Sequence, residues 1–363
     1  MLKKIFIAAT LQNEGKTTVS LGLIRALRKR FRRIGFIKPI GQRYLQEQGY
    51  KVDEDSVLIE KVCNVECLLK DMSPVAIEKG FTERYIDKPD KKALVSKIKA
   101  SFKGVSQGKD LVVIEGTGHA GVGSCFDLSN ADVAHLLGSK VILISSGGIG
   151  RPIDEIMLNV ALFKQKGVGV LGVIINKVKK DKYKKIKRYV EKGFKRQGID
   201  VLGVLPYIKT LTNTTIKEIM DETGFKLLCG KANVNNKVAK VLIGAMEPRD
   251  ALNFIEDDSL LITPGDREDM VLTATSINAV KGAGHPKIAG LVLTGGFLPH
   301  DMIMNLAAKS GIPVLYAKND TYSVASKIHD LTIKIRPQDE EKTRLVEELI
   351  EEYVDIDRLI KKL

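Results

Sequence analysis

Short runs of Ile, Val and Leu alternate with helical stretches along the first 208 residues of the chain. Each run is bounded by glycine or by polar residues typical of turns. Continuous apolar strands separated by helices indicate a parallel sheet that is covered on both faces. The pattern therefore predicts an α/β domain whose strands lie at 4–9, 34–38, 111–115, 140–145, 169–175 and 201–205.

A second, smaller set of apolar runs follows and also alternates with helical stretches. We predict strands at 225–229, 259–263, 287–293, 312–316 and 331–335. After them, Leu345, Leu349, Tyr353, Ile356 and Ile360 recur near helical spacing among glutamates. This organisation predicts three segments: an α/β domain at 1–208, a smaller α/β domain at 209–335, and a helical tail at 336–363 that packs on the body or on a second subunit.

Composition indicates a globular protein and argues against a membrane-spanning or disulfide-linked one. The chain has 363 residues with 44% hydrophobic content, enough for two globular domains. No apolar run reaches the roughly 18 residues of a membrane span, and no small-residue cleavage site follows the first apolar run, so we expect a cytoplasmic protein without membrane contact. Four cysteines form no disulfide framework, and we interpret Cys63 and Cys67 as thiols rather than metal ligands.

The formal net charge of +14 is concentrated at 25–33 and 176–198. Such runs are compatible with a nucleic-acid patch or with solvated helix faces. In the second run, Tyr183, Ile186, Val190 and Phe194 recur at helical spacing, which indicates one core face with lysines directed outward. No nucleic-acid-binding motif accompanies the charge. We therefore favour solvated faces and do not expect a nucleic-acid partner.

The stretch IFIAATLQNEGKTTVSLGLIRAL, residues 5–27, has the context of a phosphate-binding loop, because a strand and a loop precede a Gly-Lys-Thr helix start. Backbone N–H groups of such a loop bind phosphate oxygens. We expect Lys16 to reach the β- and γ-phosphates and the Thr17 hydroxyl to reach Mg²⁺. The predicted ligands are ATP and Mg²⁺, with nucleotide contacts from Thr10, Asn13, Glu14, Gly15, Lys16, Thr17 and Thr18.

This stretch resembles two groups of proteins. The usual pattern has a glycine six residues before the lysine, where this chain has Thr10. Dethiobiotin synthetases and the N-terminal domains of long phosphate acetyltransferases also carry threonine there, and GKTTVSLGLIRAL…GFIKPIGQ is similar to the second group. The glycine that dethiobiotin synthetases place at the Ala9 position is missing. The resemblance implies a dethiobiotin synthetase-like P-loop fold.

The resemblance also implies roles for residues downstream. Lys38, in FIKPIGQ, would contact a substrate near the γ-phosphate, so Lys16 and Lys38 are the candidate catalytic residues. Asp55 and Glu115 would hold Mg²⁺ together with Thr17, and carboxylates that follow parallel strands suit that ion. Asp53 and Glu54 compete with Asp55 for this role, and the segment also reads as a helix N-cap. Glu115 has the alternative of a turn carboxylate.

Two further features lie beside the predicted site. Asn176 follows the fifth strand and resembles the base-reading asparagine of this superfamily, with a turn cap as the alternative. The loop GTGHAGVGS, residues 116–124, is rich in small residues that allow a ligand to approach the backbone. We assign no chemistry to His119 within it.

Two motifs in the second half both follow predicted strands, so they are expected to meet at one sheet edge. Their residues are Asp266, Arg267, Thr294, Gly295 and Gly296. These residues resemble the name-giving positions of the DRTGG domain, which follows the nucleotide domain in long phosphate acetyltransferases. They form a candidate effector site or interface, and tight turns are the equally weighted alternative.

Three functions remain open from the sequence. The first, which we favour, is a nucleotide sensor or slow ATPase that couples its state to the DRTGG-like domain and to an unknown small-molecule or protein partner. The second is an ATP-dependent ligase that activates a carboxylate or carbamate, and the third is a nucleic-acid-binding protein. We expect no acetyl transfer by this chain, since long phosphate acetyltransferases continue into a catalytic domain, and no amidation, since no glutaminase triad is visible. We also expect a homodimer.

Overall fold

The computed structural model describes residues 2–279, 286–331 and 334–363. The chain divides into two compact units. Unit 1 comprises Met1–Leu211 and Ile335–Leu363, and unit 2 comprises Thr212–Lys334. The predicted strand at 331–335 includes residues 332 and 333, which lie outside the described residues.

Unit 1 is built on a parallel sheet, as predicted. In the described part of the chain this sheet has six strands in the order β10-β9-β8-β1-β7-β2, and every pairing in it is parallel. The strands of unit 1 are β1 (Lys3–Ala9), β2 (Ile34–Ile37), β3 (Ile40–Gly41), β4 (Tyr44–Glu47), β5 (Tyr50–Asp53), β6 (Val75–Ala76), β7 (Leu111–Glu115), β8 (Lys140–Ser146), β9 (Val170–Val178) and β10 (Val201–Pro206).

Helices cover both faces of this sheet, which explains why its central strands are apolar without alternation. They are α1 (Lys16–Leu27), α2 (Glu54–Cys63), α3 (Leu69–Met72), α4 (Phe81–Asp87), α5 (Lys91–Ser106), α6 (Asn130–Leu136), α7 (Gly150–Gln165) and α8 (Tyr183–Arg196). None of the described helices combines the length and apolar content needed to cross a membrane.

Unit 2 follows a short helix, α9 (Lys209–Thr212), and has a mixed sheet. Its described strands are in the order β12-β17-β16-β15-β14, with β12 antiparallel to β17 and the other pairings parallel. The elements are β11 (Thr214–Thr215), α10 (Ile216–Thr223), β12 (Lys226–Cys229), β13 (Lys237–Val238), β14 (Lys240–Ile243), α11 (Pro248–Ala251), β15 (Ser259–Pro264), α12 (Glu268–Ala279), β16 (Ile288–Thr294), α13 (Asp301–Ser310), β17 (Val314–Tyr316) and α14 (Thr321–His329).

Strand β14 was not predicted. It lies at the edge of the sheet and pairs only with β15 among the described residues. Val241 and Ile243 are 41% and 52% exposed, although Val241–Ile243 is an apolar run like those of the predicted strands. The β4–β5 hairpin was also not predicted, because its residues are mostly polar and exposed and form no apolar run.

The C-terminal segment forms α15 (Glu340–Tyr353) and α16 (Ile356–Lys362), and it packs on unit 1. Glu347 and Glu351 of α15 form ion pairs with Arg25 and Lys29, each at 2.5 Å. The backbone N–H of Asp355 donates to the Leu202 carbonyl at 2.8 Å. Two charges of the first basic run are therefore neutralised by the acidic helix α15.

We expect Gly22→Val to destabilise unit 1 by about 2 kcal/mol, because it overpacks the contact between α1 and α15. A Cβ at Gly22 would lie 2.3 Å from Ile350 Cγ1 and 3.0 Å from the Val346 carbonyl oxygen. Urea denaturation measures the change. Gly150→Ala is the control, since a Cβ there meets no atom within 4 Å, and an unshifted midpoint for Gly22→Val would contradict this packing.

The second basic run has the predicted orientation. In α8, Ile186, Val190 and Phe194 are buried and Tyr183 is half-buried, while the lysines of the helix are exposed. The helix thus has one core face and one charged, solvated face.

The thiols differ sharply in exposure, and none is in a disulfide. Cys63 is buried, Cys67 is half-buried and Cys125 is exposed. Burial raises the pKa of Cys63 to about 11. No group of three or more His, Cys, Asp or Glu side chains that could by itself hold a metal is found in the described ranges.

Iodoacetamide at pH 8 is expected to alkylate Cys125 at least about 100-fold faster than Cys63, since only the thiolate reacts and the raised pKa of Cys63 keeps its thiol protonated. Mass spectrometry of tryptic peptides over time measures both rates. Equal rates in the folded protein would contradict the burial of Cys63.

Candidate functional site

The loop between β1 and α1 has the backbone of a phosphate-binding loop. Gly15 caps α1 with φ of 90° and ψ of 30°, and the helix begins at Lys16. A Cβ at Gly15 would lie 2.3 Å from Asn176 Nδ2, so both the left-handed backbone and the available space require glycine. The N-terminus of α1 therefore opens directly on the loop and presents N–H groups suited to an anion.

The hydrogen bonds of Thr10 to the neighbouring strand explain why a threonine is suited to this position. Its backbone N–H donates to the Ile144 carbonyl at 2.8 Å, and its hydroxyl donates to Ser145 Oγ at 3.1 Å. Both partners are in β8, the neighbour of β1 in the sheet. The Ala9 N–H donates to the Gly118 carbonyl at 3.2 Å. The loop is thus fastened to the elements on both sides of β1.

Asn176 holds the loop from the end of β9. Its Nδ2 donates to the Glu14 carbonyl at 2.9 Å, and its Oδ1 accepts from the Lys177 backbone N–H at 2.8 Å. Lys177 Nζ donates to the Asn13 carbonyl at 2.5 Å. These contacts have the geometry of the turn-capping alternative, and base reading by Asn176 stays a prediction.

Glu14 does not direct its carboxylate toward solvent. The side chain is buried and accepts a hydrogen bond from the Ser146 hydroxyl at the end of β8. Because a carboxylate repels phosphate, the backbone of Glu14 is the part suited to an anion. Ser145 and Ser146 were not predicted as part of the site, although both end a parallel strand beside the loop.

The predicted metal ligands Thr17 and Glu115 lie next to each other. The Thr17 hydroxyl donates to Glu115 Oε1 at 3.0 Å. Glu115 is fully buried at the end of β7, and its Oε2 has no hydrogen-bond partner among the described residues. Burial and the charge of Asp55 raise the pKa of Glu115. A buried carboxylate with an unsatisfied oxygen is suited to a cation.

Lys38 lies among the carboxylates. Its Nζ is 3.0 Å from Asp53 Oδ1 and 3.8 Å from Glu115 Oε1, and it donates a hydrogen bond to Asp55 Oδ2. Burial would lower the pKa of Lys38, but the surrounding carboxylates, Asp55 foremost, raise it well above its ordinary value. The surrounding carboxylates therefore favour the charged form of the buried Lys38 ammonium at this edge of the sheet.

Asp53 and Asp55 both face Lys38, so the structure brings together two of the three acidic residues that the sequence left in competition. Asp53 is also the N-cap of α2, where its Oδ1 accepts from the Asp55 N–H at 3.0 Å. Its own N–H donates to Ser73 Oγ at 2.9 Å. The N-cap interpretation is thus correct for Asp53, and the cap does not prevent the contact with Lys38.

The donor set fits Mg²⁺ that arrives with a nucleotide. Mg²⁺ usually takes one or two carboxylates and completes its shell with phosphate oxygens and water. The buried Asp55 and Glu115 carboxylates and the half-buried Thr17 hydroxyl supply hard oxygen atoms around Lys38 and Glu115. Lys16 begins the helix beside them, and burial lowers its pKa while the charge of Glu115 opposes that shift.

The glycine-rich loop at 116–124 is tightly held. Asn130 Nδ2 donates to the carbonyls of Thr117 and His119 at 2.7 and 2.6 Å, and the Thr117 hydroxyl donates to the Ile40 carbonyl at 2.5 Å. His119 is exposed, and its Nδ1 accepts from the Gly121 N–H at 3.2 Å. These bonds order the loop beside the phosphate-binding loop and give His119 a local structural partner.

In unit 2 the two predicted motifs meet at one sheet edge. They follow the neighbouring strands β15 and β16, and the Gly265 N–H donates to the Thr294 carbonyl at 3.0 Å. Thr294 shares a hydroxyl hydrogen bond of 2.7 Å with Thr321. Gly295 and Gly296 have φ of 79° and 78°, which favours glycine at both positions.

Arg267 has a local partner other than the Asp266 considered from the sequence. Its Nε and Nη2 form a two-pronged ion pair with Asp269 at 2.9 and 2.8 Å, and Nη2 also donates to the Met246 carbonyl at 3.0 Å. An anion at Arg267 would have to compete with Asp269. The effector role of Asp266, Arg267 and the Thr294–Gly296 turn stays a prediction.

Comparison with known proteins identifies the family to which the chain belongs. The sequence profile of the AAA domain (AAA_26) matches residues 3–215, more than half of the chain. The chain belongs to the AAA domain family. The profile of the DRTGG domain matches residues 218–331, so the AAA domain is followed by a DRTGG domain, as predicted.

The AAA and DRTGG domains together are similar to part of phosphate acetyltransferases. The chain is 27% identical over 374 residues to the phosphate acetyltransferase of Nitratidesulfovibrio vulgaris, covering 100% of this chain and 52% of that protein. The identity to the Pseudomonas putida enzyme is 27% over 369 residues, covering 98% and 51%. The chain spans about half the length of the curated relatives it matches, and the predicted resemblance to their N-terminal region is confirmed.

Two solved structures match parts of the chain. The septum site-determining protein MinD complexed with Mg-ADP, from Pyrococcus horikoshii, is 18% identical, with a TM-score of 0.38 over 58% of this chain and 84% of that one. The CBS and DRTGG domains of Clostridium perfringens pyrophosphatase are 23% identical, with a TM-score of 0.27 over 32% and 46%.

Proposed function

We propose that the chain binds Mg²⁺-ATP in its AAA domain and acts in the cytoplasm as a nucleotide sensor or slow ATPase coupled to its DRTGG domain. The observation that carries the proposal is the hydrogen bond between the Thr17 hydroxyl and Glu115, directly after the left-handed Gly15 turn. A hydroxyl and a buried carboxylate suited to Mg²⁺ therefore lie at the N-terminus of α1. This helix end favours the binding of an anion such as the nucleotide phosphates.

The residues of the phosphate-binding loop and of the carboxylates beside it have separate proposed roles. Lys16 and the N–H groups from Asn13 to Thr18 would bind the phosphates, and Lys38 would neutralise charge that develops on the γ-phosphate. Thr17, Asp55 and Glu115 would hold Mg²⁺, which when bound neutralises phosphate charge. Asn176 would fix the loop and read the purine base through its second amide N–H.

We propose that the DRTGG domain responds to the nucleotide state of the AAA domain. Its motif turns lie at the carboxyl edge of a sheet, where α/β folds commonly bind ligands, and they would respond to an unidentified small-molecule or protein partner. Exposed Phe297, Leu298 and Met302 on this domain are 56%, 58% and 69% accessible, which is suited to a contact between two copies. A homodimer is therefore part of the proposal, and light scattering measures its mass.

Hydrogen exchange with and without Mg²⁺-ATP tests the coupling. Saturating nucleotide is expected to slow exchange in the 10–18 loop and also to change exchange at 264–267 and 294–296. If only the loop responds, the chain binds nucleotide but the sensor role is wrong.

An ATP-dependent ligase is the second candidate, and the position of Lys38 favours it. A buried ammonium beside the predicted metal ligands is suited to stabilise a transferred phosphoryl group on a carboxylate or carbamate. A metabolite mixture that strongly stimulates ATP turnover by the pure protein would establish a ligase-type reaction. Turnover that stays slow with every fraction would exclude it in favour of the sensor.

A further inference from the structure

Lys38 occupies the centre of the carboxylate cluster that the proposed function assigns to Mg²⁺. Its ammonium contacts Asp55 and Asp53, and Glu115 Oε1 is 3.8 Å away. Only 8% of the Lys38 side chain is exposed. The position is therefore filled by a cation that belongs to the protein itself.

Lys38 and a divalent metal would compete for the same oxygen atoms. In the proposed site Mg²⁺ would take Asp55 and Glu115 as ligands, whereas the Lys38 ammonium already donates to Asp55. Removing a buried ammonium from its carboxylate is costly unless another partner replaces it. A metal ion that binds without nucleotide gains no phosphate oxygens as ligands. Its binding therefore offsets little of the cost of separating Lys38 from Asp55.

Asp53 is the replacement partner. It is 1% exposed and lies 3.0 Å from Lys38 Nζ, and it is fixed from two sides by the α2 N-cap and by Ser73. Its Oδ2 has no hydrogen-bond partner among the described residues, so the carboxylate has capacity to hold the ammonium more fully. Lys38 can then leave Asp55 while it stays buried and paired.

We propose that Lys38 is an internal cation that neutralises Asp55 and Glu115 before nucleotide binds, and that Asp53 is the positioning residue that holds Lys38 when metal arrives. The inference rests on the proposed function, because it takes the metal to enter with the nucleotide phosphates. Metal and nucleotide then bind together, and metal does not bind first.

Mn²⁺ binding without nucleotide, followed by electron paramagnetic resonance, tests the internal cation. Mn²⁺ stands in for Mg²⁺ because its free ion gives a strong signal that is lost on binding. Lys38→Met removes the charge at similar length and is expected to bind Mn²⁺ at least about 10-fold more tightly than wild type, by release of carboxylates for a hard cation. Lys38→Arg keeps the charge and is expected to behave as wild type.

Two outcomes would overturn the proposal: equal Mn²⁺ affinity of Lys38→Met and wild type, or tight Mn²⁺ binding by wild type in the absence of nucleotide. If Lys38→Met is unstable, its unfolding temperature supplies the same test. Added Mn²⁺ is then expected to raise that temperature more than it raises the temperature of wild type, and equal shifts would contradict the proposal.

Asp53→Asn tests the positioning role. With ATP present, this variant is expected to bind Mn²⁺ several-fold more weakly than wild type, while ATP binding without metal is unchanged. Ser73→Ala is the matched structural control, because it loosens the same backbone and keeps the carboxylate. Equal effects of both variants would show that Asp53 acts only through the fold.

Failure of the proposed function remains distinguishable. If ATP does not draw Mn²⁺ into the wild-type protein, the nucleotide site is wrong. The nucleotide-free comparison of Lys38→Met with wild type still decides whether Lys38 excludes metal.

Discussion

Lys16→Ala is expected to weaken ATP binding about 100-fold, or about 2.7 kcal/mol, with little change in the stability of the fold. Lys16 begins α1 directly after the Gly15 turn, and it is half-buried. A charge-assisted bond to phosphate in such an environment is stronger than the same bond in water. Isothermal calorimetry of both proteins with Mg²⁺-ATP measures the loss.

Lys192→Ala is the control for Lys16→Ala. Lys192 lies on the exposed face of α8, and its replacement changes the net charge of the chain equally. Its ATP affinity is expected to match that of wild type. Equal affinity of Lys16→Ala and wild type would show that the phosphates do not contact this lysine.

Glu115→Gln is expected to remove most of the strengthening of ATP binding by Mg²⁺, a loss of at least about 10-fold. Glutamine keeps the size of the side chain and an oxygen that can accept from Thr17, but it removes the negative charge that favours the metal. ATP affinity without Mg²⁺ should be equal or higher, because a buried negative charge near the phosphates is gone. Titrations with ATP in the presence of Mg²⁺ or EDTA measure both quantities.

Glu191→Gln is the matched control for Glu115→Gln, since Glu191 is exposed on α8. Circular dichroism verifies that each variant is folded. If Mg²⁺ strengthens ATP binding to Glu115→Gln as much as to wild type, Glu115 is not a metal ligand and the turn-carboxylate alternative is correct.

The sequence predicted the parts of the fold that follow from burial. The central strands of unit 1 contain continuous apolar runs because helices cover both faces, so the runs and the turn residues that bound them located these strands. The edge strand β14 was missed although Val241–Ile243 is an apolar run, and its exposure is visible only in the fold. The contact of α15 with α1 depends on a pairing more than 300 residues apart in the chain, which periodicity does not specify.

Some features of the candidate site could likewise be predicted from the sequence, and others depend on the fold. Gly15, Lys16 and Thr17 could be predicted because local spacing dictates the loop, whereas Glu115 was predicted from the family resemblance, which the common edge of parallel strands supports. Asp53 was not separated from Asp55, since only the fold shows that a capping carboxylate also reaches Lys38. The pairing of Arg267 with Asp269 likewise depends on the turn after β15 and on the Met246 carbonyl.

We propose that this AAA domain binds Mg²⁺-ATP and turns it over slowly. Calorimetric titration of the wild-type protein with ATP and Mg²⁺, with hydrolysis assayed on the same sample, measures both properties. We expect saturable binding at one site per chain that weakens without Mg²⁺, with turnover well below the roughly 10 s⁻¹ typical of enzymes. No binding at millimolar nucleotide would show that the proposed function is wrong.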